Sequence, residues 1–304
     1  MRIILDTDMN GDCDDVGALA VLNKLADAGK AEILACVANG HDEDRATAAA
    51  ISAVNTYYGR PNIPIGTYHG SAYPPVKSCY TARLRDEFPH AAASDDALPP
   101  ALAVYRRALA AAPDTSVVVV SIGVLVNLRE LLESKADAFS PLAGADLVRR
   151  KVRQLVVMGG QFPQSDPVRG EYNLSFGNGG PDAQYAVEHW PTPILFTGFE
   201  IGLEIVTGKR LAAAPSANPV RRAYELFTSF NGRPSWDLTA VLAAVEDPAL
   251  YWRVSPEGYC QVSPIGTNQW HPTPNRAHSH LIAKVPSAEI ADALDDLLAL
   301  PPTG

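Results

Sequence analysis

The sequence predicts an α/β protein built on an open, mostly parallel sheet with helices on both faces. Two observations lead to this prediction. Short runs rich in Val, Ile and Leu are nearly continuous rather than alternating, which is typical of strands that are buried on both faces. Stretches with a helical spacing of apolar residues separate these runs, and strands that alternate with helices usually form parallel sheets.

The predicted elements follow one another along the chain from its first residues. The first strand ends at Asp6, and the run SVVVVS at residues 116–121 is the clearest of the later strands. Strands are predicted over residues 2–6, 31–38, 116–121, 152–158 and 193–197, and helices over residues 16–28, 43–58, 101–111, 125–134 and 181–188. Two segments rich in Pro, Gly, Ser and Asp, residues 70–100 and 161–181, are expected to form long loops.

Length and composition indicate one globular domain over residues 1–304. The chain shows no internal repeat and no long linker, and 47% of its residues are hydrophobic. Its formal net charge of −9 argues against a nucleic acid as the main partner, because phosphate binding needs a basic surface. No apolar run approaches the ~18 residues of a membrane span, so a membrane partner is not expected.

The beginning of the chain and its cysteines both suggest a reducing compartment. No basic region followed by an apolar stretch and a cleavage site opens the sequence, so a cytoplasmic protein is expected. A signal removed before residue 1 is the alternative. No C-x-x-C spacing points to a disulfide framework or a zinc site, and reduced thiols are expected at Cys13, Cys36, Cys79 and Cys260.

Five aspartates are concentrated at the predicted junction of the first strand and the first helix. Asp6 and Asp8 end the strand, Asp14 and Asp15 open the helix, and Asp12 lies between them. A helix N-terminus stabilises a nearby negative charge by only about 0.3–1 kcal/mol, which is too little to keep five neighbouring acids ionised. A cation is therefore expected among them. Oxygen ligands without paired His or Cys favour a hard ion, Ca²⁺ or Mg²⁺.

This aspartate run has four possible interpretations. An EF-hand loop fails, because its twelfth position is Gly17 where a bidentate Glu is required. In a Mg²⁺-dependent phosphohydrolase Asp6 would attack phosphorus and Asp8 would act as acid and base. That interpretation leaves Asp14 and Asp15 unexplained. A metal site that binds a sugar, and an acidic turn that only caps a helix, also stay open at this point.

Motifs along the chain resemble those of the inosine–uridine nucleoside hydrolases. The opening LDTDMNGDCDDVGAL looks like the family signature DxDxxxDD, with a loop two residues longer than the commonest form. Four further elements follow in the family's order. They are VAN at 37–39, four residues before Glu43; SIGVLVNL at 121–128, similar to Gly-Pro-Leu-Thr-Asn; MGGQF at 158–162 with EYN at 171–173, similar to Met-Gly-Gly and Glu-Phe-Asn; and RPSWD at 233–237. Together these elements span residues 3 to about 245, and the remainder of the chain adds little.

The resemblance implies a fold and an activity. The fold would be the nucleoside hydrolase fold with a Rossmann-like core. The activity would be Ca²⁺-dependent hydrolysis of the N-glycosidic bond of ribonucleosides, or of a related N-riboside, giving ribose and free base. A small nucleoside substrate, a place in purine or pyrimidine salvage and a homo-oligomer are also implied. Such a reaction passes through an oxocarbenium-like sugar, so it needs electrostatic stabilisation and a positioned water.

The family's roles can be carried over residue by residue. They imply that Ca²⁺ is held by Asp8, Asp15, Asp237 and the backbone carbonyl of Val126. Asp8 would also be the catalytic base, a role worth about 10²–10⁴-fold in rate. Asp6 would support these ligands without touching the metal. Substrate binding is implied for Asp14, Asn39, Met158, Ser165, Glu171, Asn173 and Trp236.

Two of these positions depart from the family pattern. Ser165 stands where the family commonly has an Asn that contacts the 5′-hydroxyl, and Trp236 stands where many members have a His beside the base. An indole does not titrate near neutral pH, so Trp236 is predicted to be a wall that stacks on the base. Any proton donor for the leaving base would then lie elsewhere, and the candidates are His41, His69 and the region 271–280 with its three histidines.

The sequence therefore leads to one main functional hypothesis and two alternatives. The main hypothesis is a Ca²⁺-dependent N-glycosyl hydrolase. The first alternative is a relative that binds ribose or nucleosides but has lost leaving-group activation through Trp236. The second is the Mg²⁺-dependent phosphohydrolase centred on Asp6. Release of ribose, binding without turnover, and release of phosphate distinguish the three.

Overall fold

The computed structural model describes residues 1–92, 94–273 and 276–302, and these residues form a central eight-stranded sheet with two small two-stranded sheets beside it. The strands, in chain order, are β1 (Arg2–Thr7), β2 (Glu32–Ala38), β3 (Ile65–Thr67), β4 (Val117–Ser121), β5 (Val152–Val157), β6 (Ile194–Phe196), β7 (Val206–Thr207), β8 (Arg233–Pro234), β9 (Trp252–Val254), β10 (Tyr259–Val262), β11 (Asn268–His271) and β12 (His278–Ala283).

Twelve α-helices connect and cover these strands in the described part of the chain. They are α1 (Asp14–Asp27), α2 (Thr47–Tyr57), α3 (Thr81–Glu87), α4 (Ala101–Ala111), α5 (Val126–Glu133), α6 (Gly144–Lys151), α7 (Tyr172–Ser175), α8 (Gly180–His189), α9 (Phe199–Leu203), α10 (Pro219–Thr228), α11 (Trp236–Val245) and α12 (Ser287–Ala299). None of these helices combines the length and the apolar character that a membrane span requires.

The strand order of the large sheet is β3-β2-β1-β4-β5-β6-β12-β9. The first seven strands of this order run parallel, and only β9 pairs in the antiparallel direction, with β12. The order reverses its direction between β1 and β4, because the chain builds β2 and β3 on one side of β1 and the later strands on the other. In open α/β sheets the crevice at such a reversal, at the carboxyl ends of the strands, is the usual ligand site.

Alternate residues of the central strands face opposite sides of the sheet, and each side has its own apolar core. On one side Leu5, Val118 and Val120 pack with apolar residues of α1, α11 and α12. On the other side Ile4 and Val119 pack with apolar residues of α4, α5, α6 and α8. All five strand residues are at most 1% exposed. Burial on both faces explains why these strands are continuously apolar, and it confirms the predicted fold class.

The predicted strands and helices are confirmed with small shifts at their ends. The largest shift is at α2, which begins at Thr47 instead of residue 43. The reason is that the carboxylate of Asp42 accepts a hydrogen bond from the backbone N–H of Ala46, while Arg45 has a φ of 50°. A side-chain hydrogen bond of this kind competes with helix formation, so α2 begins only after it.

The sequence analysis missed elements in the expected loops and in the last third of the chain. The segment 70–100 contains α3, and the segment 161–181 contains α7 and the start of α8. After residue 246 the chain adds β12 to the central sheet and α12 to its surface. Short strands such as β3 carry too few apolar residues to show a period.

Helices α1 and α11 lie in close contact, and Gly17 makes this possible. A side-chain carbon at residue 17 would lie 2.5 Å from the hydroxyl oxygen of Tyr224 and 3.0 Å from a methyl carbon of Leu238. Both are closer than non-bonded carbon contacts allow. The absence of a side chain at this position therefore brings the first turn of α1 against the first turns of α11.

Gly17→Val should lower the free energy of unfolding by about 1–3 kcal/mol, because extra carbons in a tightly packed contact force neighbouring groups apart. Urea denaturation of the two proteins measures this difference. Ala111→Val, at an exposed position at the end of α4, adds similar volume and should change stability by less than about 0.5 kcal/mol. Equal stability of the Gly17→Val protein and its parent would contradict the close contact between α1 and α11.

Candidate active site

A cavity of about 370 Å³ lies at the carboxyl ends of β1, β4 and β5, at the point where the strand order reverses. Its lining divides into an acidic part, a polar part that follows β5, and an aromatic part contributed by α9 and α11. Six carboxylates line it, namely Asp8, Asp12, Asp14, Asp15, Glu171 and Asp237. The strand topology alone thus brings together residues from both ends of the sequence.

Three of these carboxylates form a compact triad. One oxygen each from Asp14, Asp15 and Asp237 lies within 4.8 Å of the others, and all three residues are buried. Asp14 and Asp15 open α1, Asp237 lies in the first turn of α11, and the backbone N–H of Asp237 donates to Asp14 at 3.2 Å. Burial, followed by repulsion from neighbouring carboxylates, raises the pKa of Asp15 and Asp237 well above the ordinary value.

Asp8 lies beside the triad, where the chain leaves β1. Burial raises the pKa of Asp8 to about 7, and repulsion from Asp12, Glu171 and Asp6 acts in the same direction. A side-chain carbon at Gly123, in the loop after β4, would lie 2.6 Å from an oxygen of Asp8. Only glycine at residue 123 therefore leaves room for the Asp8 carboxylate at the reversal point.

Asp6 lies beneath the cavity and is fully buried. Its carboxylate accepts hydrogen bonds from the Tyr105 hydroxyl at 2.7 Å, from Asn39 at 2.7 Å and from Asn127 at 3.2 Å. Burial raises the pKa of Asp6 to about 7, although these three hydrogen bonds act in the opposite direction. The side chain thus connects β1 with α4, α5 and the end of β2, and it has no exposed surface from which to attack a substrate.

The polar part of the lining is built from Met158, Glu171 and Asn173. The Glu171 carboxylate accepts from the backbone N–H of Gly160 and of Asn173, both at 3.0 Å. The Asn173 amide nitrogen lies 3.1 Å from both the carbonyl oxygen and the sulfur of Met158. Burial raises the pKa of Glu171 to about 7, against the effect of the backbone donors. These bonds fix the orientation of all three side chains.

The aromatic part of the lining contains Phe199 and Trp236. Their rings are stacked with centroids 5.3 Å apart, and the indole N–H of Trp236 donates to the carbonyl of Phe199 at 2.9 Å. Arg233 lies against the Trp236 ring, with its guanidinium carbon 5.1 Å from the ring centroid. The indole nitrogen is therefore occupied, and Trp236 presents a flat ring to the cavity.

None of the seven histidines, all of which belong to described segments, lines this cavity. His41 lines a much smaller cavity of about 20 Å³ that shares Asp8 and Tyr172 with the main one. His280 stacks on Phe162, and His278 lies against Phe196, away from the aspartates. His69 is in contact with Thr67.

The structure brings most of the sequence-predicted residues to the cavity, but some of them have other surroundings than the sequence predicted. Asp14, predicted to bind the sugar, belongs to the carboxylate triad. Asn39 is fully buried below the cavity with its amide nitrogen on Asp6, and its oxygen accepts no hydrogen bond within the described segments. Val126 opens α5 with its side chain packed near Tyr68, and its role as a metal ligand stays a prediction.

Ser165 is not brought to the cavity. Its hydroxyl accepts from the backbone N–H of Asn268 at 2.8 Å, and its own backbone N–H donates to the carbonyl of Asn268 at 3.0 Å. These bonds hold the loop after β5 against β11, an element that the sequence analysis did not predict. Ser165 instead lines a separate polar cavity that includes Gln164 and Gln269.

The cavity lining includes residues that the sequence did not indicate as site residues, among them Phe199, Tyr172 and Arg233. Arg233 forms a salt bridge with Asp12, from which it is separated by 221 residues. The motif RPSWD contained Arg233, but no local pattern indicates a pair at such a separation. Phe199 follows the end of β6, and a strand-end position was the only available signal.

The acidic part of the cavity fits a hard divalent cation. All its donors are oxygens, and of the six carboxylates only Asp12 is paired with a cation in the described chain. Several adjacent buried carboxylates without counter-charge are energetically costly, and a divalent ion relieves the burial cost and the repulsion together. The triad could therefore hold a metal ion.

Comparisons with known proteins agree with this geometry. A family model described as inosine-uridine preferring nucleoside hydrolase matches residues 3–295. Among solved structures the chain is similar to a plant nucleoside hydrolase (18% identity, 99% of each chain covered, TM-score 0.71). It is also similar to a purine-preferring ribonucleoside hydrolase from Gardnerella vaginalis (17%, 98% of each chain, TM-score 0.70).

A third structural relative is the type III effector protein XopQ complexed with adenosine diphosphate ribose. It has 18% identity and a TM-score of 0.69, and the match covers 98% of this chain and 93% of that one. Among curated proteins no sequence matches this chain. At identities this low, the structural similarity shows a shared fold only. The family is assigned from the family model, which matches residues 3–295.

The raised pKa values determine how the stability of the metal-free protein depends on pH. A carboxyl group with a higher pKa in the folded state binds more protons when folded, between the two pKa values. Stability therefore falls as the pH rises through that window. For Asp8 the window runs from 3.8 to about 7, and for Glu171 from 4.5 to about 7.

Chelator-treated protein should accordingly lose stability between about pH 5 and about pH 8, because the buried carboxylates ionise without counter-charge. Ca²⁺ should suppress this loss and, at a hundredfold excess over its Kd, add about 2.7 kcal/mol. Thermal melts with and without Ca²⁺ at the two pH values measure both effects.

Two variants make this measurement specific to the triad. Asp237→Asn should lose the response to Ca²⁺ and weaken the pH dependence, whereas Asp114→Asn, an exposed carboxylate in surface ion pairs, should keep both. Melting temperatures of the parent that are the same with Ca²⁺ and with chelator at both pH values would contradict a metal site at the triad.

Proposed function

The chain belongs to the inosine-uridine preferring nucleoside hydrolase family and is a glycosyl hydrolase, and we propose that it cleaves the N-glycosidic bond of ribonucleosides, or of a related N-riboside, with Ca²⁺ as its cofactor. The products are ribose and the free base. Nucleoside salvage is the proposed setting, and a homo-oligomer in the cytoplasm is the proposed form.

The observation that carries this proposal is the division of one cavity into an acidic, a polar and an aromatic part. A riboside has the matching division, since its hydroxyls are polar and its base is planar and apolar on its faces. Buried carboxylates and amides offer hydrogen bonds to hydroxyls. The ring of Trp236, stacked on Phe199, offers a flat surface to a base.

We propose Asp8 as the catalytic base. It lies at the end of β1 beside the triad and on the cavity wall, where a water next to the anomeric carbon would be within its reach. In the reaction water adds to the anomeric carbon and gives its proton to Asp8. The C–N bond breaks, and its electron pair goes to the departing nitrogen. The positive charge that develops on the sugar is stabilised by the surrounding carboxylates.

The residues proposed to hold the cation are Asp15 and Asp237, with Asp14 next to them; Asp8 and the Val126 carbonyl are proposed as further ligands. When bound, the ion would supply the positive charge that neutralises the acidic cluster and orients water and hydroxyl oxygens. All donors of this set are oxygens, which suits Ca²⁺ better than a softer ion.

Glu171 and Asn173 are proposed to bind the ribose hydroxyls, with Met158 beside the sugar. Their hydrogen bonds to the backbone around Gly160 fix these side chains before substrate arrives, so they lose little conformational freedom on binding. Asn39 is proposed to contact the ribose as well, and its buried side-chain oxygen accepts no hydrogen bond within the described segments. Trp236 is proposed as the wall against the base. Ser165 is retained as a proposed substrate contact only for a conformation in which its loop leaves β11.

The phosphohydrolase alternative is weakened by the position of Asp6. A carboxylate that attacks phosphorus must reach the substrate, but Asp6 has no exposed surface and its oxygens accept three hydrogen bonds. The binding-only alternative has one observation in its favour, namely that no His lines the aromatic part within the described chain.

One assay compares the three functions. The protein with Ca²⁺ is incubated with a panel of nucleosides, nucleotides and p-nitrophenyl riboside, and free ribose and free phosphate are measured. Ribose without phosphate supports the proposal. Phosphate release would replace it with the phosphohydrolase, and saturable binding without either product would replace it with the binding protein.

Asp8→Asn should abolish ribose release, because the amide cannot accept the proton of the attacking water. A loss of at least about 10²-fold in kcat is expected. Circular dichroism should show an unchanged fold, and Asp114→Asn at the surface should keep the parent's kcat. A near-parental kcat of the Asp8→Asn protein would show that the base lies elsewhere.

Asn173→Ala and Glu171→Ala should weaken the binding of ribosides more than the binding of free bases, because these side chains are proposed to contact hydroxyls. The parent should reject 2′-deoxyribosides by about 10⁴-fold, since a site built for a hydroxyl leaves polar groups unpaired without it. Steady-state kinetics and calorimetry provide the values, with Asn231→Ala on the surface as control. Equal rates on ribosides and deoxyribosides would contradict the proposed hydroxyl contacts.

A further inference from the structure

The departing base needs stabilisation that neither Trp236 nor the carboxylates supply. As the C–N bond breaks, negative charge develops on the leaving nitrogen. The family often has a His at the position of Trp236, but the indole here is not a titrating group and its N–H already donates to Phe199. A cationic group in the aromatic part of the cavity would stabilise this negative charge.

Arg233 is the one cationic side chain that lines the cavity, as far as the described residues go. Its Nε lies 2.9 and 3.0 Å from the two carboxylate oxygens of Asp12, and its Nη2 donates to Asp12 as well. Its Nη1 has no hydrogen-bond acceptor within the described segments. Two N–H groups of a permanently charged guanidinium are thus left for a ligand.

The surroundings of Arg233 hold its guanidinium next to the aromatic wall. The guanidinium carbon lies 5.1 Å from the centroid of Trp236 and 5.4 Å from that of Phe227. The pair with Asp12 holds the guanidinium in this position. A planar ring that stacks on Trp236 would therefore lie beside a fixed positive charge.

We propose that Arg233 binds the leaving base and stabilises it as an anion. The proposal rests on the proposed function and deepens it. Water adds to the anomeric carbon, Asp8 receives its proton, and the electron pair of the C–N bond goes to the leaving nitrogen. Arg233 donates a hydrogen bond to the anionic base, which is protonated by solvent after release. The favoured substrates are ribosides whose planar leaving group carries negative charge well.

This proposal predicts a difference between good and poor leaving groups. Arg233→Gln should lower kcat/KM for nucleosides by about 10²-fold, the effect of removing one donor to a developing anion. For p-nitrophenyl riboside the loss should be much smaller, because its leaving group is already a stable anion. Across a series of ribosides, the variant should depend more steeply on the acidity of the leaving group than the parent does.

A binding measurement tests the same residue without turnover. Quenching of tryptophan fluorescence by p-nitrophenolate, with uncharged nitrobenzene as the comparison, reports whether the aromatic part selects an anion. The parent should bind the anion more tightly than nitrobenzene, and Arg233→Gln should lose this preference. Arg222→Gln is the matched control, since Arg222 makes a similar two-nitrogen contact with Glu87 on the surface, outside the cavity.

The kinetic and binding results together decide whether Arg233 stabilises the leaving base. Equal losses of kcat/KM on all substrates, with an unchanged preference for the anion, would overturn the proposal. Arg233 would then only connect the segment that contains Asp12 to β8. No change in either measurement would overturn it too. If the parent releases no ribose from any substrate, the proposed function fails, and loss of anion preference in Arg233→Gln would still support an anion site here. If Arg233→Gln does not fold, Arg233→Lys replaces it and should keep part of the preference.

Discussion

The structure depends on one electrostatic constraint, the gathering of buried carboxylates where the N-termini of α1 and α11 meet. Three carboxylate oxygens lie within 4.8 Å of one another, with Asp8 beside them. The two helix dipoles offset only about 0.3–1 kcal/mol for each charge. Packing imposes the arrangement: Gly17 lets the helices approach, and Gly123 leaves room for Asp8. The packing of the two helices therefore holds together a cluster of carboxylates that could bind a cation.

Asp6 lies within β1 and Asp8 just beyond its end, and the two carboxylates have different surroundings. Asp6 faces the interior, where three donors saturate its oxygens, and it holds α4, α5 and the end of β2 in register. Asp8 lies beyond the strand end, on the cavity wall. A pattern of the form DxD is compatible with a nucleophile at its first position, and the burial of Asp6 argues against that role.

Much of the fold and of the acidic part of the cavity could be predicted from the sequence. Other features of the site could not, because they depend on contacts between distant segments. Continuous apolar runs predicted the inner strands, and the helix-opening Asp14-Asp15 pair predicted the acidic part of the cavity. The contact of Arg233 with Asp12 is invisible locally, because 221 residues separate the two. The position of Ser165 depends on β11, whose short sequence NQWH has no period. The amide of Asn39 donates to Asp6 because that carboxylate is buried and needs hydrogen-bond donors. The burial of Asp6 is not visible in the sequence.

The separation of the triad along the chain has a consequence for biosynthesis. Asp14 is synthesised early, but Asp237, whose backbone N–H donates to it, follows 223 residues later. Until α11 has been made, the N-terminal acids have neither their third partner nor the apolar cover of that helix, so they remain hydrated in the nascent chain. The triad is therefore complete only after translation has passed residue 237, so its three carboxylates come together in a nearly finished protein.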